Sequence, residues 1–444
     1  MLSQWNSFFI FLIYTVILCG IIHFVVNPIQ PTAYMDEIFH EEQTLAYIRG
    51  EWLKWDPKIT TPPGLYVLTA FVWRIFSFPP SVKYFRFVNC FISGANFLVL
   101  TELTGSIRVA LSISTLPVLF FSALLFYTDQ LSLFILLLTF LAQRSSFNFL
   151  AFMLGCFACF VRQTNVVWIV FIIGEYVVRR LVFTQFCVSN SLLQYLTCLL
   201  KHPISTCFAI FKAALLDVPH HTATVVFFIA WVIYFNHGDI VLGDRSAHQP
   251  VLHIPQLFYF FVFCAFHTPI AFLRYLSANL RLPSRQSLLG LATLLVFVLL
   301  SIHFYTFEHP YLLADNRHYT FYIWSRFFRR FKSFRYTLAP LYIICGDYIW
   351  TGLSGLTMPQ NLIALGYLAS TSLAIIPAGL IELRYFITPY VIWRLKKPPG
   401  PDDRLPSLLE TTMNILINAV TIYVFIFYPF RWISQPFTWQ RFMW

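Results

Sequence analysis

Long apolar runs with few charges recur along the chain from Phe8 to the last thirty residues, separated by short polar stretches. A bilayer core about 30 Å thick is crossed by roughly 20 apolar residues in a helix. The first run, Phe8 to Val26, meets that length. It has no basic flank before it and no cleavage-like site after it, so it reads as an anchor that is retained. Further runs lie near 64–78, 85–101, 109–127, 131–142, 149–161, 165–178, 222–235, 256–273 and 287–305. Others lie near 337–353, 362–381 and 411–428. The pattern predicts about 11 to 13 helices, some half-length or re-entrant. Broken elements of that kind persist only where protein or an aqueous cavity satisfies the freed backbone groups. No inverted or tandem repeat is detectable, which argues against a two-halved transporter.

Composition narrows the class further. Of 444 residues, 58% are hydrophobic, 19% aromatic and 11% charged, and the mean hydropathy is +0.68. Soluble chains are nearer 45–50% apolar and about 25% charged. So few charges cannot cover a water-facing surface, which excludes a soluble enzyme, a disordered chain and a fibrous repeat. The fold expected is all-α and polytopic, a single membrane domain over residues 1–444. The net charge of +11 is assigned to basic turns facing anionic lipid. With no basic segment interleaved with stacking aromatics, no nucleic-acid partner is expected. Cys156 and Cys159 are three apart inside an apolar run and read as small packing residues rather than a redox or zinc pair.

Loop charge suggests orientation. Arg179–Arg180, the run from Arg326 to Arg335, and Arg394, Lys396 and Lys397 before Pro398-Pro399-Gly400-Pro401 are read as cytoplasmic. The loop 28–63 is the opposite. It holds Asp36, Glu37, Glu41, Glu42, Glu51 and Asp56, six of the chain's nineteen carboxylates, and is placed on the lumenal side.

That loop carries the first candidate chemistry. If helical, Asp36, His40, Gln43 and Tyr47 share one face, and Glu37 and Glu41 the neighbouring one. A sugar hydroxyl is a poor nucleophile at neutral pH, and an oriented carboxylate at the membrane surface can take its proton as it attacks. The plainer reading is a solvated acidic loop. Asp36 with His40 also has the spacing of two metal ligands, which without a third is weak. A second cluster, Val161 to Asn165, includes Arg162 and Gln163 between two apolar runs. Arg162 either contacts a phosphate or snorkels from a helix end. A third runs from His309 to Tyr319. There Arg317 and His318 suit a phosphate or hydroxyls and Asp315 a sugar, against a plain capped helix start. Loop 236–256, with Asn236, Asp239, Asp244 and Arg245, is a polar stretch with turn-forming glycines. Glu382 and Arg384 form an ion pair beside aromatics, as readily structural as functional.

Six stretches in order, YMDEIFH (34–40), WDPKITTPPGLY (55–66), VRQTN (161–165), ADNRHYTFYIW (314–324), IELRYFITPY (381–390) and the terminal QRFMW (440–444), resemble the dolichyl-phosphoglucose-dependent α-1,2-glucosyltransferases of the endoplasmic reticulum, within the GT-C superfamily. The resemblance runs from about residue 8 to residue 444, with Leu383 standing where proline is expected. It implies transfer of glucose from dolichyl phosphate β-glucose to a dolichyl-diphosphate-linked oligosaccharide, adding the terminal α-1,2 glucose with inversion. It implies Asp36 as general base with Glu37 as runner-up, and Arg317, His318 and Arg162 holding the leaving phosphate. His40, Gln163, Asp315, Asn316 and Arg384 would be further substrate contacts. It implies no metal and no cofactor, prenyl tails in grooves between helices, and a multi-pass protein of the endoplasmic-reticulum membrane with a lumenal active site. The rival readings are a related GT-C transferase for another sugar, and a transporter; the latter would carry its ionisable residues mid-span rather than at span ends.

Overall fold

The computed structural model describes residues 2–183, 191–243, 249–279, 285–397 and 404–444. The Pro398–Pro401 connector, and Asp244 and Arg245, lie outside the described residues. The principal helices in chain order are α1 Leu2–Ile21, α2 Glu37–Ile48, α3 Gly64–Phe76, α4 Val82–Thr104, α5 Ile107–Ser114, α6 Thr128–Arg144, α7 Asn148–Val161 and α8 Asn165–Phe183. They continue as α9 Pro219–Ala230, α10 Pro255–His267, α11 Pro269–Asn279, α12 Arg285–Tyr305, α13 Ala339–Leu353, α14 Met358–Ile375, α15 Ile387–Lys396 and α16 Arg404–Phe427. A short antiparallel hairpin follows, β1 Phe430–Trp432 with β2 Gln435–Gln440. The apolar pattern gave no sign of it.

The protein is an all-α multi-pass membrane protein. Among the described residues four helices are long and apolar enough to cross a bilayer: Trp5–Ile29, Val82–Thr104, Leu288–Tyr305 and Arg404–Phe427. Two bent pairs, Leu192–Lys201 with Pro203–Asp217 at 97° and α10 with α11 at 101°, raise the number to six if each is one span. Both bends fall just before a proline, which removes a helix hydrogen bond and disfavours helical geometry in the residue before it. The larger number expected from hydropathy arises because several runs are short apolar helices, α3 and α7 among them. The run near 109–127 is likewise broken. α5 ends at Ser114, and a six-residue helix, Pro117–Ser122, precedes a turn into α6.

The chain clusters into two compact units, one of residues 1–105, 122–248 and 353–370, the other of 106–121, 249–352 and 371–444. In the first, Tyr47, Leu65, Tyr66, Phe85, Phe126, Leu131 and Val161 form a buried cluster joining α2, α3, α4, α6 and α7. Gly64 permits the close approach at its centre. A β-carbon there would lie 2.6 Å from a Val161 methyl, too near for any larger residue. In the second unit α16 hydrogen-bonds the end of α5 through Asn414 to the Ser112 carbonyl at 3.0 Å and Asn418 to the Thr115 carbonyl at 2.8 Å. Arg394 on α15 pairs with Glu410 on α16 at 2.8 Å, both nearly buried.

Candidate active site

The first unit builds its polar centre around the start of α2. Arg86, one turn into α4, is fully buried and has five N–H donors, all of which find acceptors. Nε and Nη2 reach the two carboxylate oxygens of Glu37 at 2.9 and 2.6 Å. Nη1 reaches Asn27 Oδ1 and the Gln30 carbonyl at 3.0 and 2.7 Å, and Nη2 also the Thr32 carbonyl at 3.2 Å. Glu37, also fully buried, accepts two further bonds, from the Tyr34 N–H at 3.0 Å and the Phe126 N–H at 2.7 Å. This lattice fixes the chain from 27 to 34 and forces the turn after it. Met35 sits at φ +56°, a left-handed conformation that non-glycine residues rarely adopt. Strain of this kind persists where the surroundings over-determine it, and such places cluster at functional sites.

Asp36 follows that turn as the residue capping α2, half-buried, and its N–H donates to the Tyr127 hydroxyl at 3.4 Å. Tyr127 belongs to the segment 125–129, which the rest of the site grips. Asn89 donates to the carbonyls of Leu125 and Tyr127, both at 2.7 Å. His40 Nδ1 donates to the Phe126 carbonyl at 2.8 Å. In the neutral ring that leaves Nε2 as the acceptor nitrogen. The imidazole is boxed by Tyr66, Phe126 and Tyr127. Two residues on, the Asp129 carboxylate, 1% exposed, lies 2.9 Å from Arg162 Nη1, and Arg162 is 16% exposed. Asp36 touches Tyr127, two residues before the Asp129 that pairs with Arg162. A partly buried carboxylate and a guanidinium thus share one neighbourhood, a combination able to take a proton and hold an anion.

Other residues singled out in this unit are engaged in holding the loop. Gln163 donates to the Thr60 carbonyl at 2.8 Å. Gln43 donates to the Lys54 carbonyl at 2.7 Å and accepts the Asp56 N–H at 3.0 Å. The expected common face of Asp36, His40, Gln43 and Tyr47 holds from His40 to Tyr47 in the buried side of α2. Glu37 joins that buried side instead of the neighbouring face expected for it with Glu41, because its partner is Arg86. Glu41 turns to the start of α4 and accepts the Val82 N–H at 2.6 Å.

In the second unit, Asp315, Asn316, Arg317 and His318 do lie together. Arg317 grips Asp315 through Nε and Nη2, donates to Gln440 Oε1 at 3.1 Å and stacks on Trp432. Burial works to raise the Asp315 carboxyl, but the side-chain and backbone bonds from Arg317, with its charge, outweigh it and hold the carboxyl below its ordinary value. Asn316 Oδ1 accepts the Trp432 indole N–H at 2.7 Å, and His318 Nδ1 donates to the Trp444 carbonyl at 3.1 Å. The Met443 N–H donates to the Arg317 carbonyl at 2.9 Å. The stretches 314–324 and 440–444 therefore meet. Arg384 pairs with Glu382 at 2.8 Å around a tight turn that begins at Leu383.

Sequence reasoning passed over Arg86, Asn89, Tyr127 and Asp129. A signal for the first two existed. Arg86, Asn89, Ser93 and Asn96 recur at spacings of three and four through an apolar run, a polar stripe that proves wholly buried. Asp129 followed an apolar run at a helix start, where a plain N-terminal acidic residue is the ordinary expectation. Among the described residues no group of three or more His, Cys, Asp or Glu side chains is arranged to hold a metal ion.

Residues 30–395 match the DIE2/ALG10 family. A human protein named Dol-P-Glc:Glc(2)Man(9)GlcNAc(2)-PP-Dol alpha-1,2-glucosyltransferase is 35% identical over 93% of this chain and 93% of its own. Proteins of the same name from Drosophila melanogaster and Arabidopsis thaliana are 34% identical over 92% of this chain and 93% of theirs, and 30% identical over 95% and 96%. No solved structure matches the chain.

Proposed function

We propose that this chain, which belongs to the DIE2/ALG10 family, is a glycosyltransferase that moves glucose from dolichyl phosphate β-glucose onto the lipid-linked oligosaccharide Glc2Man9GlcNAc2-diphosphodolichol. The new bond is the terminal α-1,2 linkage of the N-glycan precursor, made at the lumenal face of the endoplasmic-reticulum membrane. The reaction is supported by the family and by the activity for which relatives matching over nearly the full chain are named.

Asp36 acts as general base. It takes the proton of the 2-hydroxyl on the acceptor's outermost glucose as that oxygen attacks the donor's anomeric carbon. The C1–O bond to phosphate breaks, its electron pair leaves with dolichyl phosphate, and attack from the side opposite the leaving group turns a β donor into an α product. The observation that carries this assignment is the contrast between two adjacent carboxylates. Glu37 has all its acceptor directions filled in a buried lattice, while Asp36 is only partly buried, just after a strained turn. In this reading Glu37 serves as scaffold and Asp36 as base.

Arg162, oriented by Asp129, holds the phosphate that leaves. A preformed cation at the point where negative charge develops lowers the barrier without reorganisation. Arg317 already spends its guanidinium on Asp315 and Gln440, so for Asp315 to His318 the proposal is a binding role toward sugar or phosphate rather than the main neutralisation.

The test is transfer by the purified protein. With both lipid substrates the product is expected one glucose heavier, the new residue α-1,2 linked. Arg162→Lys keeps the charge but loses the planar fork, and is expected to lower kcat about tenfold, short of the 10²–10³ typical of removing a transition-state donor. No glucose addition, or an unaltered kcat in folded Arg162→Lys, would contradict the respective halves of this reading.

A further inference from the structure

In the first unit α1 and α4 pack antiparallel, both inside membrane spans. Gly94 lies against Thr15 and Phe11, the Ser93 hydroxyl meets that of Tyr14 at 3.1 Å, and the Asn27 amide donates to the Lys83 carbonyl at 3.1 Å. A β-carbon on Gly94 would stand 2.8 Å from the Phe11 ring, so the helices approach as closely as small residues in a membrane allow. Between these contacts Cys19 and Cys90 face each other, their sulfurs 3.3 Å apart and both thiols free. Cys90 is fully buried and donates its S–H to the Thr15 carbonyl at 3.6 Å. Cys19 is only partly buried and is open to lipid.

We propose that Cys19 and Cys90 are a dithiol that closes to a disulfide and staples α1 to α4, with an uncharged, lipid-soluble disulfide as the co-reactant. Cys19 gives up its proton and attacks one sulfur of the reagent, whose other sulfur leaves as a thiolate. Cys90 then gives up its proton and attacks the Cys19 sulfur of this mixed disulfide, and the second thiolate leaves. The two protons end on the two departing thiolates, and the two electrons lost by the cysteines reduce the reagent to two thiols. Bonding brings the sulfurs closer by only about 1.2 Å. It strands no acceptor, since the Thr15 carbonyl lies within α1 and takes the N–H four residues on. The bond closes a stretch of chain that contains the whole acidic loop. Arg86, one turn before Cys90, holds Asn27 beyond the end of α1, so the staple lies next to the lattice that sets the turn before Asp36. Closing a long loop narrows the unfolded ensemble and stabilises the folded one. The helices already touch in the thiol form, so turnover is left as it was.

The test treats the purified full chain, reconstituted in lipid, with dithiodipyridine, then alkylates the remaining thiols and maps peptides by mass spectrometry. The wild type is expected to yield a peptide pair joined through Cys19 and Cys90 within one chain, released by dithiothreitol. Its Tm is expected to exceed that of the dithiothreitol-treated protein by about 2 °C or more. Cys19→Ala, at the partly exposed position, should show neither the joined peptides nor that rise. Cys90→Ala, which removes the resolving thiol, should instead accumulate the mixed disulfide on Cys19. Cys19→Ala carries the comparison alone if the buried Cys90→Ala does not fold. Folded wild type in which Cys19 stays unreacted, stays as the mixed disulfide or joins a second chain would overturn the pairing. A joined pair with no rise in Tm would overturn its role as a staple. Neither result touches the glucose-transfer reading, which is tested by its own product.

Discussion

A carboxylate offers about four lone-pair directions, and Glu37 fills all of them with two N–H groups of Arg86 and the backbone N–H groups of Tyr34 and Phe126. A buried charge pair adds little net stability over an apolar substitute, yet removing one partner strands the other. Glu37→Gln presents an NH2 to a guanidinium that has no acceptor to spare. It is expected to cost about 3–5 kcal/mol of folding stability, seen as a lower Tm of the purified protein, with activity falling in proportion to folded protein. A Glu37→Gln protein of normal Tm with abolished turnover would instead give Glu37 a chemical role. None of this was readable from spacing, since a helical wheel pairs Glu37 with Glu41 and says nothing of an arginine in another helix. The same limit hid Asp129, whose meaning comes from Arg162, likewise distant in sequence.

At the scale of elements, α2 is held at its start and along its buried side. Glu41 takes the first free N–H of α4, a favoured place for a negative charge near the positive end of the helix dipole. Burial nevertheless dominates and raises the Glu41 carboxyl, the Val82 bond drawing it back and the charges of Glu37 and Glu42 adding to the rise. A carboxyl raised on folding is more comfortable protonated in the native state, so its contribution is full below the unfolded value and is lost as pH rises through the folded one. Tm is expected to increase on acidifying from neutral toward the region just above the ordinary glutamate range, until other carboxylates are protonated. Glu41→Gln keeps an acceptor for Val82 and is expected to flatten that part of the pH profile. An identical profile in Glu41→Gln would place the effect elsewhere. Helix identity and the buried side of α2 from His40 to Tyr47 were legible from apolar period and i,i+3/i+4 spacing. The short hairpin after α16 was not, since its pairing and its junction with Arg317 and His318 join distant stretches.

For the whole molecule, the helical membrane architecture follows from how few charges the chain has to cover a surface. The count of spans does not, because several apolar runs bend or stop at proline. The reaction was legible only through six ordered stretches, not through composition. The structure explains one pairing among them, since 314–324 and 440–444 are hydrogen-bonded to each other. It also separates two carboxylates of the first loop, the fully buried Glu37 and the partly buried Asp36. The direct test is single-turnover glucose transfer by purified Asp36→Asn with both lipid substrates, beside a wild-type control of equal Tm. A fall of at least about 10²-fold in rate is expected for a missing general base. A folded Asp36→Asn protein that transfers glucose at near the wild-type rate would contradict the mechanism.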